Sequence, residues 1–370
     1  MKVLHVNAGN LYGGVETILA TLAREGHECP SMEQHFALCF EGRVSAELNQ
    51  AGAPVHMLGA VRISRPWTIM RARRKLRTVL RRERFDLVIC HLPWSFAVFG
   101  PTVRAEGQKL GFWAHGFHNG SGWLERLARA VKPDLVIANS EYTGTGLVNL
   151  FPGIPNGIVY PPVPLADVPH RAQWRSTLRS QENADDDTVV IVQVSRLESW
   201  KGHRLHLEAL SLLRNTPGWT CWFVGGPQKA EEQRYLEQLQ ATALRFGIAD
   251  RVRFLGQRSD VSKLLIAADI FCQPNQEPEP FGMVFIEALW AGLPVVATAM
   301  GGAMEIVDQS CGLLLQPGDP SVLAESLLRL IESPAWRRQL GSGGAIRAKQ
   351  LSDPLTQMNK LRELSLQTLG

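Results

Sequence analysis

The sequence predicts an α/β protein built from two Rossmann-like, doubly wound domains that face each other across a cleft. Its 370 residues exceed the size of one ordinary domain. In each half, short apolar runs alternate with longer amphipathic runs, a pattern that favours right-handed βαβ crossovers and mainly parallel sheets. Proline and glycine cluster between residues 152 and 169, as expected of a connection between two domains.

Strands and helices follow each other regularly in both halves. In the first half, strands are expected at residues 3–6, 36–40, 55–58, 87–91, 111–114 and 135–138, with helices beginning near 15, 44, 66, 96, 123 and 142. In the second half, strands are expected at 189–194, 219–224, 252–255, 270–273, 295–297 and 312–315, with helices beginning near 203, 231, 261, 283 and 320. The domains then cover residues 1–165 and 166–350, and residues 351–370 form a helix that packs back on the first domain.

Composition places the protein among globular proteins, with 45% hydrophobic and 20% charged residues. The first residues become polar at Asn7, so they are too short for a signal-peptide core, and no stretch is long enough to span a bilayer. The six cysteines are scattered, with no Cys-x-x-Cys pair and no zinc-type spacing. We therefore expect reduced core cysteines in a cytoplasmic protein.

Basic residues are concentrated in one segment, although the net charge is only +4. Residues 62–84 contain ten Lys or Arg and one acid, Glu83, whereas the rest of the chain has 29 basic and 34 acidic residues. The segment predicts a helix with an apolar face of Ile69, Met70, Leu76, Val79 and Leu80. Two interpretations stay open: a solvated helix packed on the first domain, or a docking face for anionic lipid or a polyanionic acceptor at the inner face of a membrane. Nucleic acid is disfavoured because no aromatic residues alternate with the charges.

Two cations follow the predicted strand 189–194. Ligands of an open parallel sheet bind beyond the carboxyl ends of its strands. Arg196 and Lys201 lie at that place, where they can converge on a diphosphate and neutralise charge that develops on a leaving group. Taken alone, the two residues fit solvated surface cations better.

A second motif, at residues 277–283, leads into the predicted helix 284–291. Its prolines favour a rigid, extended approach, and Gly282 allows a ligand to lie close to the backbone. The start of the helix offers free N–H groups and a positive dipole end. Glu279 precedes the helix and Glu287 lies about one turn inside it, so both carboxylates are suited to bind hydroxyls of a sugar or ribose. An ordinary helical glutamate is the alternative for Glu287, but its apolar neighbours predict a buried acid that requires a partner.

Three weaker signals lie at other strand ends. Gly301 and Gly302 follow the strand 295–297 and open a short helix, as a cradle of amides for phosphate or as a tight turn. Gly13 and Gly14 follow the first strand but match neither the dinucleotide fingerprint nor the P-loop. His115 ends the strand 111–114 at the carboxyl edge of the sheet.

Together these residues resemble the retaining GT-B glycosyltransferases of family 4. The family signature combines an Arg and a Lys with a Glu-x7-Glu motif, which Arg196, Lys201, Glu279 and Glu287 match, whereas Glu277 misses the spacing. Other stretches follow the family in order: 13–14, 115, 139–140, 160–163, 280–282, 291–297, 301–302, 305 and 312–319. The resemblance spans almost the whole chain.

The resemblance implies a GT-B hexosyltransferase that moves a sugar, with retention, from a UDP- or GDP-sugar to a saccharide or lipid-linked acceptor in glycan or polysaccharide biosynthesis. The first domain would bind the acceptor and the second the nucleotide sugar. The implied candidate catalytic residues are Arg196, Lys201, Glu279 and His115. The implied donor-binding residues are Glu287, Phe281, Gly282, Met283, Gly13, Gly14, Gly301 and Gly302.

The same resemblance implies a role for each group. Arg196 and Lys201 would hold the diphosphate, and Glu287 the nucleotide ribose. Glu279 and the backbone at 281–283 would contact the donor sugar, and His115 would reach the sugar near the reacting carbon. Gly13 and Gly14 would leave room for phosphate or acceptor, and the loop 254–256 would line the base pocket.

No metal is expected. Residues 185–187 contain an Asp-x-Asp pattern, but they precede a strand rather than follow one, which favours a solvated charge run. Arg196, Lys201 and helix ends already supply positive charge for the phosphates.

Two other functions fit the same residues. A sugar-nucleotide epimerase would change the donor without any acceptor, and an inactive nucleotide-sugar-binding protein would bind the donor without turnover. The intact pattern of Arg196, Lys201, Glu279 and Glu287 argues against a degenerate site.

Overall fold

The strands of the structure pair in parallel, as alternating strands and helices favour. The computed structural model describes residues 1–10 and 13–370. It divides into two compact units, residues 1–164 with 352–370 (unit 1) and residues 165–351 (unit 2). Each unit is a Rossmann-like α/β fold, which confirms the predicted class.

Unit 1 contains, within its described residues, a seven-stranded parallel sheet of order β3-β2-β1-β4-β5-β6-β7. Its strands are β1 (Lys2–Asn7), β2 (Glu33–Leu38), β3 (Val55–Met57), β4 (Leu87–His91), β5 (Lys109–Ala114), β6 (Leu135–Ala138) and β7 (Asn156–Ile158). Its helices are α1 (Gly14–Arg24), α2 (Arg43–Gln50), α3 (Pro66–Glu83), α4 (Leu92–Ala105), α5 (Trp123–Ala128), α6 (Glu141–Leu150) and α15 (Pro354–Leu369).

The order of unit 2, counted over residues 165–351, is β10-β9-β8-β11-β12-β13 in a six-stranded parallel sheet. The strands are β8 (Val189–Val194), β9 (Trp219–Val224), β10 (Val252–Phe254), β11 (Ile270–Gln273), β12 (Val295–Thr298) and β13 (Gly312–Leu315). The helices are α7 (Arg171–Gln181), α8 (His203–Leu212), α9 (Ala230–Arg245), α10 (Val261–Ala267), α11 (Met283–Ala291), α12 (Ala303–Ile306), α13 (Pro320–Glu332) and α14 (Pro334–Ser352).

Two predicted boundaries in unit 1 are wrong by several residues. Strand β2 begins at Glu33 rather than 36, because its polar residue Gln34 is buried and hydrogen-bonded to the Leu22 carbonyl at 3.3 Å. Helix α4 begins at Leu92 rather than near 96, because Pro93 falls in its first turn, where proline is tolerated.

Helix α3 carries the basic segment and packs through a narrower apolar face than expected. Ala72, Leu76 and Leu80 are buried at a spacing of four residues. Met70, predicted on that face, is 56% exposed, because the buried stripe of the helix turns away from it. Arg77 and Arg81 both pair with Glu106, at 2.8 and 2.7 Å, so part of the basic charge fastens α3 beside α4.

The last helix, α15, belongs to unit 1. Gln357 accepts a hydrogen bond from the Tyr160 amide at 3.0 Å, and Leu364 packs directly on Gly157 of β7. A Cβ atom at Gly157 would lie 2.4 Å from a Leu364 methyl carbon, so a larger residue at position 157 would have to displace the Leu364 side chain.

The six cysteines are free and buried in the part of the chain that the structure describes, as predicted. In the same part, none of the helices is both long enough and apolar enough to cross a bilayer.

Candidate functional site

The loops that follow β8 and β11 meet at the centre of the unit 2 sheet. These strands are neighbours, yet the chain leaves β8 toward β9 on one side and leaves β11 toward β12 on the other. Such a switch point opens a crevice at the carboxyl ends of the strands. Arg196 and Lys201 follow β8, and Glu279 follows β11. The topology therefore brings three candidate residues together.

Lys201 and Glu279 form an ion pair at this switch point. The Lys201 ammonium donates to Glu279 Oε2, and the two side chains are 9% and 15% exposed. Asn275 Nδ2 donates to the same carboxylate oxygen at 3.1 Å. Two donors therefore fix the Glu279 carboxylate, and one acceptor fixes the Lys201 ammonium.

Backbone contacts lock the two loops against each other. The Gln276 amide donates to the Trp200 carbonyl at 2.7 Å. Gly202 lies so close to Pro274 that a Cβ atom would be 1.8 Å from the Pro274 carbonyl oxygen. Gln193 of β8 donates from Nε2 to the Lys201 carbonyl at 2.9 Å. Lys201 is therefore placed by its backbone as well as by its ion pair.

The electrostatics of the two cations differ. Burial lowers the pKa of Lys201 below its ordinary value, Glu279 opposes this effect, and the charge of Arg196 adds to it. The Lys201 ammonium also lies 3.9 Å from the ring centre of Trp200. The Arg196 side chain is 67% exposed and pairs with Glu198 at 2.8 Å. Lys201 is thus a fixed charge and Arg196 an accessible one.

Helix α11 begins beside the ion pair. Gly282 caps it at φ +102°, and a Cβ atom there would lie 2.4 Å from the Phe285 ring. Phe281 is buried at 2% exposure, so only its backbone can face a ligand. The first turn, which starts at Met283, presents amide groups without partners inside the helix and a positive dipole end.

Glu287 lies one turn inside α11 and is half-buried. Burial raises the pKa of its carboxyl group to about 7. Among the residues that the structure describes, no side chain or backbone group donates a hydrogen bond to it. The partner that a buried acid requires is thus absent from the described protein, and a ligand hydroxyl could supply it.

Gly301 and Gly302 press against the Glu279 loop. A Cβ atom at Gly301 would lie 2.3 Å from the Glu279 carbonyl oxygen, and one at Gly302 would lie 2.4 Å from Phe281 Cα. The Gly302 amide donates to the Glu279 carbonyl at 2.8 Å, so it is not available to a phosphate. The two glycines support the loop, and a phosphate-binding role for them stays a prediction.

A cavity of about 240 Å³ lies at the carboxyl ends of β8, β9 and β10. Its lining residues are Val194, Ser195, Arg196, Val224, Gly225, Gly226, Gln228, Gln257, Arg258 and Val261. The loop 254–256 expected at a base pocket does not line it; Gln257 and Arg258 just beyond do. Phe254 instead stacks on Phe223 of β9, with ring centres 5.3 Å apart. Neither Gln257 nor Arg258 was predicted, since nothing local distinguishes them from surface residues.

In unit 1, the candidate residues lie at the carboxyl edge of the sheet. Gly13 and Gly14 are exposed at the start of α1, and the Gly13 amide donates to Glu16 at 3.1 Å. His115 directly follows β5, and its Nε2 lies 2.7 Å from His91 Nδ1. His91 in turn lies 3.0 Å from His5, two contacts that the sequence did not reveal.

Residues 185–187 lie just before β8, at the opposite edge of the sheet from Arg196. The described residues include no group of three or more His, Cys, Asp or Glu side chains arranged to hold a metal ion. Arg179 donates to the backbone carbonyls of Asp185 and Asp186 at 2.8 and 3.3 Å. These hydrogen bonds hold the backbone of residues 185–187 against α7.

Two family models match the chain and together cover most of it. The model described as "Glycosyl transferases group 1" matches residues 175–347, and "Glycosyltransferase Family 4" matches residues 12–167. The chain belongs to this family of GT-B glycosyltransferases.

Similar proteins include named glycosyltransferases and a solved structure with a bound nucleotide. The lipopolysaccharide core biosynthesis glycosyltransferase LpsD of Rhizobium meliloti is 27% identical over 93% of this chain and 92% of its own length. A D-inositol 3-phosphate glycosyltransferase of Nocardioides is 32% identical over 59% of this chain, and the chain spans half of that relative's length. The crystal structure of Anabaena HepE with UDP and glucose has a TM-score of 0.83 and 26% identity, covering 98% of both chains.

Proposed function

We propose that this protein is a retaining hexosyltransferase that moves a sugar from a UDP- or GDP-sugar to a saccharide or lipid-linked acceptor. The observation that carries the proposal is the Lys201–Glu279 ion pair, set at the switch point beside the accessible Arg196 and the start of α11. Cations, a helix terminus and fixed carboxylates at one place fit a diphosphate joined to a sugar. The names of its relatives support a role in polysaccharide or lipopolysaccharide assembly.

In this proposal the bond between the sugar C1 and the diphosphate breaks, and a bond from C1 to an acceptor oxygen forms on the same face. The acceptor proton passes to the departing diphosphate. Arg196 and Lys201 stabilise the negative charge that grows on the diphosphate. The Lys201 ammonium has three donors and uses one on Glu279, so it can serve a phosphate oxygen as well. Glu279 orients the sugar hydroxyls, and Glu287 accepts from the ribose.

The donor can be identified by ligand-induced stabilisation. HepE has been crystallised with UDP, which favours a uridine nucleotide here as well. Melting temperatures would be compared with UDP, GDP, UDP-glucose and other nucleotide sugars, since a ligand at 100 times its Kd stabilises the folded state by about 2.7 kcal/mol. A shift with none of these nucleotides would reject the proposal. Incubation with donor alone serves as a control, because an epimerase would change the sugar without acceptor.

Retention and metal independence need separate tests. The anomeric configuration of the product, read by NMR, should match that of the donor; an inverted product would reject the retaining assignment. Because Arg196 and Lys201 supply the positive charge for the diphosphate, we expect turnover to continue in EDTA. A requirement for added Mg²⁺ or Mn²⁺ would contradict this part of the proposal.

The amino-terminal half of α3 supports a membrane-facing role at the cytoplasmic surface. Trp67 and Met70 are 61% and 56% exposed there. Arginines nearby are also exposed, and none pairs with an acid among the described residues: Arg62, Arg65, Arg71 and Arg74. Exposed apolar side chains beside free cations suit an anionic lipid surface, where each cation contributes about 1 kcal/mol.

Liposome sedimentation would test this surface. Reversing the four free arginines to glutamate should abolish salt-sensitive binding to phosphatidylglycerol vesicles. Reversing four exposed arginines of unit 2, at positions 204, 214, 234 and 245, changes the net charge equally and should preserve most of the binding. Equal losses in both variants would show that only net charge matters, and no binding by the wild type would remove the idea.

A further inference from the structure

Three histidines form a continuous hydrogen-bonded row across unit 1. His5 lies in β1, His91 ends β4 and His115 follows β5, and these three strands are neighbours in the sheet. His5 Nδ1 lies 3.0 Å from His91 Nε2, and His91 Nδ1 lies 2.7 Å from His115 Nε2. His5 and His91 are fully buried. The row leads from the interior of the sheet to the candidate catalytic histidine.

The row can hold its protons in only two ways. Burial lowers the pKa of His5 and His115 to about 3 and that of His91 well below its ordinary value, so all three rings are neutral at pH 7. A neutral imidazole has one N–H donor and one acceptor nitrogen. His91 must therefore donate to one neighbour and accept from the other. Either every ring carries its proton on Nε2, or every ring carries it on Nδ1.

Gln34 selects between the two arrangements. Its Nε2 donates to the Leu22 carbonyl at 3.3 Å and to Met358 Sδ at 3.8 Å, which fixes the orientation of the carboxamide. Its Oε1 and the Nε2 of His5 are both buried, and neither has a hydrogen-bond partner among the described residues. Gln34 and His5 lie on the same face of the neighbouring strands β2 and β1, because Gln34 pairs with Val3 and Phe36 pairs with His5. A carboxamide oxygen only accepts, so a proton on His5 Nε2 is the arrangement that gives both of these buried atoms a partner.

We propose that Gln34, His5 and His91 are positioning residues that hold His115 as the Nε2–H tautomer. His115 Nδ1 is then a hydrogen-bond acceptor, and it has no partner in the described part of the protein although it is buried. The ligand it fits is a hydroxyl of the sugar substrate. This inference rests on the proposed function for the identity of the hydroxyl, but the tautomer follows from unit 1 alone.

In unit 2 a glutamine also fixes the tautomer of a buried histidine, but there the proton is expected on Nδ1. Gln193 Nε2 donates to the Lys201 carbonyl at 2.9 Å, so its Oε1 must accept from His206 Nδ1, also at 2.9 Å. His206 is fully buried, and burial lowers its pKa to about 3. His206 is thus expected as the Nδ1–H tautomer. In a spectroscopic test, His206 therefore serves as an internal reference whose expected tautomer is opposite to that of His115.

Long-range ¹H–¹⁵N correlation spectra of the full chain would read which ring nitrogen carries each proton. We expect Nε2–H for His115 and Nδ1–H for His206 in the wild type. Gln34→Met keeps the volume but removes the acceptor, so His115 should populate both tautomers while His206 stays unchanged. If His115 carries its proton on Nδ1 in the wild type, or if Gln34→Met leaves its tautomer unchanged, the proposal is wrong whatever the enzyme does.

Turnover gives an independent readout once a donor is known. Gln34→Met should lower kcat by about tenfold, the size expected from a misdirected buried hydrogen bond, with little change in nucleotide affinity. His91→Phe interrupts the row, so adding Gln34→Met to it should have no further effect on kcat. Additive losses in kcat would contradict the proposal that Gln34 acts through His91. A protein with the expected tautomer but no transferase activity would refute the proposed function and leave the tautomer assignment standing.

Discussion

Lys201 and Glu279 are 78 positions apart in the chain, yet they share a nearly buried ion pair. Removing one partner of such a pair leaves the other charge unpaired, at a cost of about 3–5 kcal/mol. We expect Lys201→Met and Glu279→Gln each to lower the free energy of unfolding by this amount, and the double variant to lose much less than the sum. Urea unfolding of the three variants measures the coupling.

The exposed pair of Arg204 and Glu208 provides the control for this cycle. It spans one helical turn at 3.0 Å, and its side chains are 70% and 33% exposed. Its coupling should be about 0.3–0.5 kcal/mol. If the Lys201–Glu279 coupling is no larger, the ion pair is a surface contact in solution and its structural role is wrong.

Arg196 should matter for turnover and hardly at all for stability. Its side chain is mostly exposed and contacts only an acid in its own loop. Arg196→Ala should lower kcat by about 10²–10³-fold, since one preformed stabiliser of developing charge is lost. The free energy of unfolding should change by less than about 0.5 kcal/mol. Arg204→Ala removes an exposed arginine nearby in the chain and should keep full turnover.

Alanine substitutions at Gly301 and Gly318 would distinguish the cost of backbone strain from the cost of steric contact. Both have positive φ, +56° and +89°, but a Cβ atom would meet the Glu279 carbonyl at 2.3 Å at Gly301 and nothing within 4 Å at Gly318. Gly318→Ala should cost about 1 kcal/mol. Gly301→Ala should cost a further 1–3 kcal/mol and weaken donor binding, because the Glu279 loop must move. Thermal unfolding and nucleotide titration of both variants compare them directly.

Glu287 should make both stability and nucleotide binding depend on pH. Its pKa is raised from 4.5 to about 7 in the folded protein, so the folded state binds a proton more tightly than the unfolded state. The free energy of unfolding should therefore fall as the pH rises from about 4.5 to 7, and Glu287→Gln should remove a decline of roughly 1–3 kcal/mol. Urea unfolding between pH 5 and pH 8 measures the difference.

The same carboxylate should bind a ribose best when ionised. UDP affinity should therefore rise by up to about tenfold between pH 6 and pH 8 in the wild type relative to Glu287→Gln. Calorimetric titration of both proteins at each pH removes the contribution of the nucleotide's own phosphate. Parallel pH profiles would show that Glu287 does not contact the nucleotide.

The histidine row of unit 1 should make the protein sensitive to acid. Burial lowers the pKa of His5 and His115 from 6.5 to about 3, and that of His91 further, so these rings stay neutral when folded and gain protons when unfolded. The contribution of these rings to the free energy of unfolding is fully present above pH 6.5 and decreases as the pH falls toward 3. Because unfolding takes up three protons in this range, the free energy of unfolding should fall by about 4 kcal/mol per pH unit. Urea unfolding at pH 7, 6 and 5 tests this slope. His27→Gln, at an exposed histidine, should leave it unchanged.

The sequence predicted best the elements whose apolar residues lie in short, uninterrupted runs. β4, β6, β8, β9, β11 and β13 begin and end at the predicted residues. Helix α14 was missed because Gly341, Gly343 and Gly344 lower its helix propensity. Its glycines serve packing instead: a Cβ atom at Gly341 would lie 2.2 Å from the Gly292 carbonyl, and one at Gly343 2.1 Å from that of Ser310.

In the candidate site, too, the sequence predicted the features that depend on local sequence and missed those that depend on contacts between distant segments. Arg196, Lys201 and Glu279 could be placed after strands, and Glu287 inside a helix, because these positions depend only on local sequence. The pairing of Lys201 with Glu279 depends on which strands are neighbours, and the contact of His91 with His115 depends on the register of β4 and β5. Neither can be read from one stretch of chain. The signal that could have found the row is a histidine near the end of three successive central strands.

The packing of Leu364 against Gly157 has a consequence for how the chain is made. Residues 165–351 form unit 2 without interruption, whereas unit 1 joins residues 1–164 to residues 352–370. Synthesis proceeds from the amino end, and compact domains generally fold as units. Unit 1 therefore begins to emerge first and is finished last, after the intervening unit has left the ribosome. Until α15 arrives, β7 lacks the side chain that covers it, so an unfinished chain exposes this face to chaperones and proteases.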